Sequence, residues 1–111
     1  MSTLGPYGPS VVKRLPINAT GTGDMIIIPA EPGKRLIVFT IFFTSKKATV
    51  LTVKSGAINL ISGPIEVQGN QALQLRDGHF GVFETLPGEP FVFNVTGAGH
   101  TIGGYVIYSD F

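Results

Sequence analysis

The sequence predicts an all-β protein: an antiparallel β-sandwich of jelly-roll type with about eight strands and an extended N-terminal arm. Three observations carry this reading. No window of about 11 residues shows the apolar period of an amphipathic helix. Short segments rich in β-branched and aromatic residues recur roughly every ten residues, separated by Gly, Pro, Asn, Asp and Ser. The run Leu36-Ile37-Val38-Phe39-Thr40-Ile41-Phe42-Phe43 is apolar on both strand phases, with Thr40 as its one polar residue. Loops of mixed length place a jelly roll first, an immunoglobulin-like sandwich second and an OB-type barrel third.

Each element has a local cause. Gly5-Pro6 and Gly8-Pro9 exclude helix from residues 1–10 and disfavour a paired strand, leaving an arm in which Leu4 and Tyr7 are available for docking onto a neighbour. Val11 to Ile17 is a short strand that Pro16 marks as an edge or an end. Asn18 to Asp24 reads as a loop by composition, and Met25 to Pro29 as an apolar strand. Pro32-Gly33 suits a turn before a long central strand from Lys34 to Thr44. Ser45 to Ala48 turns, and Thr49 to Lys54 is expected to pair back as a hairpin.

Ala57 to Ile61 and Ile65 to Gln68 are short strands divided by Ser62-Gly63-Pro64. Ala72 to Arg76 alternates cleanly. Asp77-Gly78 then signals a hairpin into Phe80 to Thr85. Phe91 to Val95 and Thr101 to Tyr108 are the last strands. Gly97-Ala98-Gly99 turns between them, and Gly103-Gly104 marks a bulge or a close backbone approach.

The length, 111 residues, suits one domain, divided into an arm at 1–15 and a sandwich at 16–111. The absence of cysteine excludes disulfides and thiolate metal sites, and fits a reducing cytoplasm or a fold indifferent to redox state. The absence of tryptophan removes the strongest sugar-stacking side chain. Only 14% of residues are charged, against about 25% in ordinary domains, which implies that much of the surface faces other proteins. Charge is uneven: residues 1–54 carry seven bases against two acids, a net of +5, and residues 55–111 one base against five acids, a net of −4. The N-terminus lacks the apolar core of a secretory signal, and no apolar stretch reaches membrane-spanning length.

No chemistry emerges. His79 with Asp77 and Glu84 is the nearest approach to a metal set, but a polar turn explains all three. His100 follows a glycine turn. There is no Gly-x-Ser-x-Gly elbow, nothing fixes a spacing between Glu66 and Glu84, and Gly21-Thr22-Gly23 is not a phosphate loop. The doublets Lys13-Arg14, Lys34-Arg35 and Lys46-Lys47 would split their charge between the two faces of a strand, and the net charge is only +1. The expectations are therefore no catalytic residue, no metal, no cofactor, no nucleic acid and no membrane. The apolar run points to assembly, because a two-layer fold covers one face of each sheet. A subunit interface is expected to use part of Ile37, Phe39, Ile41 and Phe43, or the opposite phase. Tyr105 and Tyr108 are aromatic candidates for an interface or a sugar platform.

The order of motifs resembles small jelly-roll structural proteins of tailed bacteriophage virions. The carrying residues are Ile28-Pro29-Ala30, Gly33-Lys34, the long apolar strand, Val53-Lys54-Ser55-Gly56 and Ser62-Gly63-Pro64. They continue with Gly81-Val82-Phe83-Glu84-Thr85, Pro87-Gly88-Glu89, Val92-Phe93-Asn94-Val95 and Gly103-Gly104-Tyr105. Within that group the chain looks most like head decoration, or cement, proteins. The resemblance implies a homo-oligomer, trimer or dimer, made in the host cytoplasm. It would sit on the capsid surface of the virion with the major capsid protein as partner. A tail, fibre or baseplate component that binds a carbohydrate or receptor is the alternative.

Overall fold

The computed structural model describes the backbone of residues 3–5, 8–10, 12–77 and 81–111, and the side chains of 12–77, 81–96 and 101–111. Every regular element among them is a strand. β1 (Thr3–Gly5) and β2 (Gly8–Ser10) form a two-stranded ribbon apart from the main sheet. Leu4 pairs with Pro9 there, so the Gly-Pro breaks do not prevent local pairing; an edge tolerates a proline that lacks an N–H. The main sheet has eight strands: β3 (Lys13–Ile28), β4 (Leu36–Ser45), β5 (Thr49–Ser55), β6 (Asn59–Leu60), β7 (Ile65–Val67), β8 (Ala72–Arg76), β9 (Phe83–Glu84) and β10 (Phe91–Asp110). All of its ladders are antiparallel.

β10 is the spine. Its first part pairs with β5, its second with β4, and along its other side both parts pair with β3. The sheet is thereby drawn into two wings: β4 with β8 and β9, and β5 with β6 and β7. The wings face each other across one core. Phe43 of β4 meets Phe93 of β10 at a ring separation of 5.2 Å, although neither pairs with the other's strand partners. Phe91 packs edge-on to Phe93 at 5.7 Å and tilted against Phe83 at 5.7 Å. The expected all-β antiparallel architecture is present. Its two layers are wings of one curled sheet, because β10 and β3 belong to both.

Several local expectations are corrected. Asn18–Asp24 is not a loop but the middle of the 16-residue β3. Gly97–Gly99 is not a turn between strands but lies within β10, where the ladder to β3 slips between Val95↔Gly23 and His100↔Gly21. Loop-type residues are absorbed there as an irregularity in a long ribbon. β5 makes no hairpin with β4; it crosses to the other wing and pairs with β10, β6 and β7. Nor do β8 and β9 form a hairpin, since both lie in line along the same edge of β4. Gly78 itself is outside the described residues. Gly104 is a close approach, as expected: a Cβ there would collide with the carbonyl oxygen of Phe42.

Candidate functional site

The curled sheet leaves two outer faces. On the β4 wing, register places Pro16, Tyr105, Phe42 and Gln74 in one row, and Arg14, Ile107, Thr40 and Arg76 in the next. Phe42 stacks on Tyr105 with centroids 5.6 Å apart, and the Arg14 guanidinium lies 5.1 Å from the Tyr105 ring centre. A cation over an aromatic face is held electrostatically. Tyr105 is thus flanked by neighbours on both adjacent strands, which disfavours it as an open sugar platform.

On the β5 wing, one row runs Ile26, Val92, Lys54, Leu60. Val92 is buried, yet Ile26 and Leu60 are 66% and 69% exposed. Beside this row the Asp24 carboxylate accepts from Asn94 Nδ2 at 2.7 Å and from Lys54 Nζ at 3.1 Å. Those bonds, the Asn94 one first, hold the Asp24 carboxyl below its ordinary pKa. A shallow groove of about 260 Å³ is lined by Lys54, Leu60, Pro64 and Asn94, among others.

The turn after β5 is braced from within. Ser55 Oγ donates to Glu89 Oε1 at 2.6 Å, and Asn59 Nδ2 donates to the same carboxylate at 3.1 and 3.2 Å. Gly56 turns with φ +66, and the Glu89 carboxylate closes over it so tightly that a Cβ would sit 3.1 Å from Cδ. Leu86 N–H donates to Ser55 Oγ at 2.9 Å. On this fixed turn Ile58 is 83% exposed, and Leu60, two residues on, is exposed as well. A rigid turn that presents two large aliphatic side chains to solvent has the form of a docking anchor.

The structure sorts the residues expected at an interface. Ile37 and Ile41 are fully buried and Phe43 nearly so, all within a single chain. They have no surface to offer a partner in this conformation, so the interface expected of them is corrected, whereas Phe39 and, on the opposite phase, Phe42 keep part of their surface. Gly81, shortly before β9, lies against the Ile37 side chain, and the facing wing covers Phe43. Phe39 is half-buried. The ladder to β10 skips it, passing from Ile107↔Thr40 to Tyr108↔Val38. Tyr105 is half-buried on the outer face, whereas Tyr108 packs against the core. Leu4 lies in β1 with its side chain outside the described residues, and Tyr7 is outside them altogether.

The other candidates are not brought together. His79 lies outside the described residues, as does the side chain of His100. Glu84 instead accepts from Arg35 Nη1 at 2.8 Å. Glu66 and Glu84 belong to different wings. Among the described residues no group of three or more His, Cys, Asp or Glu is placed to hold a metal ion. No helix among them is long and apolar enough to cross a membrane. Sequence reasoning missed Ile26, Ile58 and Leu60. For Ile58 and Leu60 the one signal was that Ile58-Asn59-Leu60-Ile61, with Asn59 its one polar residue, carries apolar residues on both phases of a strand too short to bury both.

No protein-family model and no curated protein matches the chain. Solved structures do. The chain is similar to a protein of Bacillus endospore appendages, described as disulfide-linked pili, with a TM-score of 0.54 and 12% identity over 89% of this chain and 86% of that one. It also matches a structure of infectious bursal disease virus, Gx strain, with a TM-score of 0.42 and 8% identity over 92% of this chain and 33% of that one. The likeness to the appendage protein is one of fold alone.

Proposed function

We propose that this chain is a virion structural protein that binds the outside of a phage capsid as a homo-oligomer and stabilises the shell. Its role is mechanical and not enzymatic, and the major capsid protein is its partner. The observation that carries this reading is the braced β5–β6 turn with exposed Ile58 and Leu60. An apolar pair held rigid by a carboxylate knot loses little conformational entropy on docking, which favours a permanent contact. The sparse charge of the chain and the order of its motifs support the same reading. Lacking cysteine, the chain would hold its partners by noncovalent contact alone.

The test is quantitative electrophoresis and cryo-electron microscopy of the source particle. The protein is expected on the outer shell. Ile58→Ser with Leu60→Ser should lower occupancy at limiting protein about tenfold or more, corresponding to about 1.4 kcal/mol or more of contact energy. Circular dichroism should be unchanged, since both side chains are exposed. Particles that lack the protein, or full occupancy by the double variant, would overturn the proposal.

A further inference from the structure

The bases that the chain leaves unpaired gather on one side. Of its eight bases, Lys13, Arg35 and Lys54 are ion-paired, which leaves Arg14, Lys34, Lys46, Lys47 and Arg76 without a carboxylate among the described residues. All but Lys34 border the outer face of the β4 wing. Arg14 and Arg76, both exposed, stand at the two ends of the row Arg14, Ile107, Thr40, Arg76. Strand spacing sets their α-carbons about 14 Å apart. Lys46 continues the outer phase of β4 after Phe42 and Thr44, with Lys47 beside it, and both are exposed. It lies about 20 Å along the strand from Thr40. The surface between these bases is uncharged, formed by the row of Tyr105, Phe42 and Gln74 and the row of Asn18, Gly103 and Thr44. The nearest acids do not neutralise the face. Glu84 is held by Arg35 at 2.8 Å, and Asp77 is half-buried in the phase opposite to Arg76. Glu66 belongs to the other wing.

We propose that this face binds an acidic peptide segment of a partner protein, laid along β4 with carboxylates at its two ends. Uncompensated charges of one sign around a face sum to a field that attracts the opposite sign. Arg14 is already held against Tyr105, so its guanidinium loses little freedom on binding. The spacing of the bases selects a peptide. An extended segment of about six or seven residues covers 20 Å, so it can set carboxylates at both ends and uncharged residues over the middle. A nucleic-acid strand carries one charge per nucleotide, and those in the middle would lie over uncharged residues. Bases and sugar rings also need an open aromatic face to stack on. Phe42 covers Tyr105 on one side and Arg14 on the other, and Gln74 is the neighbour of Phe42 on β8. The face is on the wing away from the β5–β6 turn, and binding there is independent of what that turn holds.

The experiment uses the full chain, purified without capsids, and nuclear magnetic resonance titration at low salt. The probe is a synthetic peptide of about eight residues with paired glutamates at each end and serine and glycine between them. Its control has the same composition with the glutamates gathered at the centre. The first peptide should shift the amides of Phe42, Thr44, Gln74 and Tyr105 and bind at least about threefold more tightly than the control. Its dissociation constant should rise about tenfold or more between low salt and about 0.2 M NaCl. Arg76→Gln, at an exposed position, should weaken binding about threefold or more with an unchanged circular dichroism spectrum, whereas Lys34→Gln, which removes the same charge elsewhere, should change it less than about twofold. No binding at low salt would overturn the proposal, as would shifts confined to other faces, equal affinity for the two peptides, or equal losses in the two variants. Tighter binding of heparin or of oligo-thymidine than of the peptide would overturn the choice of partner. Whether the protein occupies shells is a separate measurement, and neither result there alters these outcomes.

Discussion

Gly104 shows how one missing atom sets a register. It pairs with Phe43 in β4 and Ile17 in β3, and its bare α-carbon lies against the Phe42 carbonyl. Gly104→Ala must push β4 and β10 apart from a backbone already at φ +155, so we expect a loss of about 3 kcal/mol or more in urea unfolding. Gly63→Ala, where a Cβ meets nothing, should change stability by less than about 1 kcal/mol. Titration at two carboxylates adds a pH dependence. Asn94 and then Lys54 lower the pKa of Asp24, and Lys13 lowers that of Asp110, both from 3.8. Unfolding raises each pKa back, so the unfolded chain binds more protons. The contribution is therefore complete above about pH 4 and is lost as pH falls through the folded values. Urea midpoints should drop as pH falls below about 4, and Asp24→Asn should flatten that limb. At the alkaline end the hydrogen bond to Asp110 raises Lys13 above 10.5, so its contribution fades only as pH rises beyond that.

β4 separates positions that the sequence left equivalent. Phe43 is 2% exposed and faces Phe93 across the core, whereas Phe42 is half-buried on the outer face beside Tyr105. Phe43→Ala should cost about 3–5 kcal/mol by opening a cavity, and Phe42→Ala about 1–2 kcal/mol through lost area, as measured by thermal unfolding. The apolar runs of β4, β5 and β8 were legible because their composition and their burial agree. β3 and β10 were read as broken strands because Asn18–Asp24 and Gly97–Gly99 have turn composition, which a continuous partner strand overrides. The β4–β5 connection read as a hairpin because nearby strands usually pair; here β10 takes that place. Ile58 and Leu60 could not be told from core, since a strand former has the same local signature inside and out.

At the scale of the whole molecule, the chain buries five of the eight residues of its most apolar run unaided, and its most exposed large aliphatic side chains lie elsewhere, at Ile26 and on the β5–β6 turn. Both lie away from the segment that composition singles out, so the sequence indicated assembly more clearly than it indicated where. The seam holding the molecule together is β10, which alone joins β3, β4 and β5. It is also made after them. A ribosome that has released only the first 90 residues has delivered two wings with nothing between them, and nearly all the native pairings are long-range. The fold should therefore form late and at once, and nascent chains stalled before Phe91 should remain fully sensitive to protease, with protection arriving only after Asp110 has left the exit tunnel.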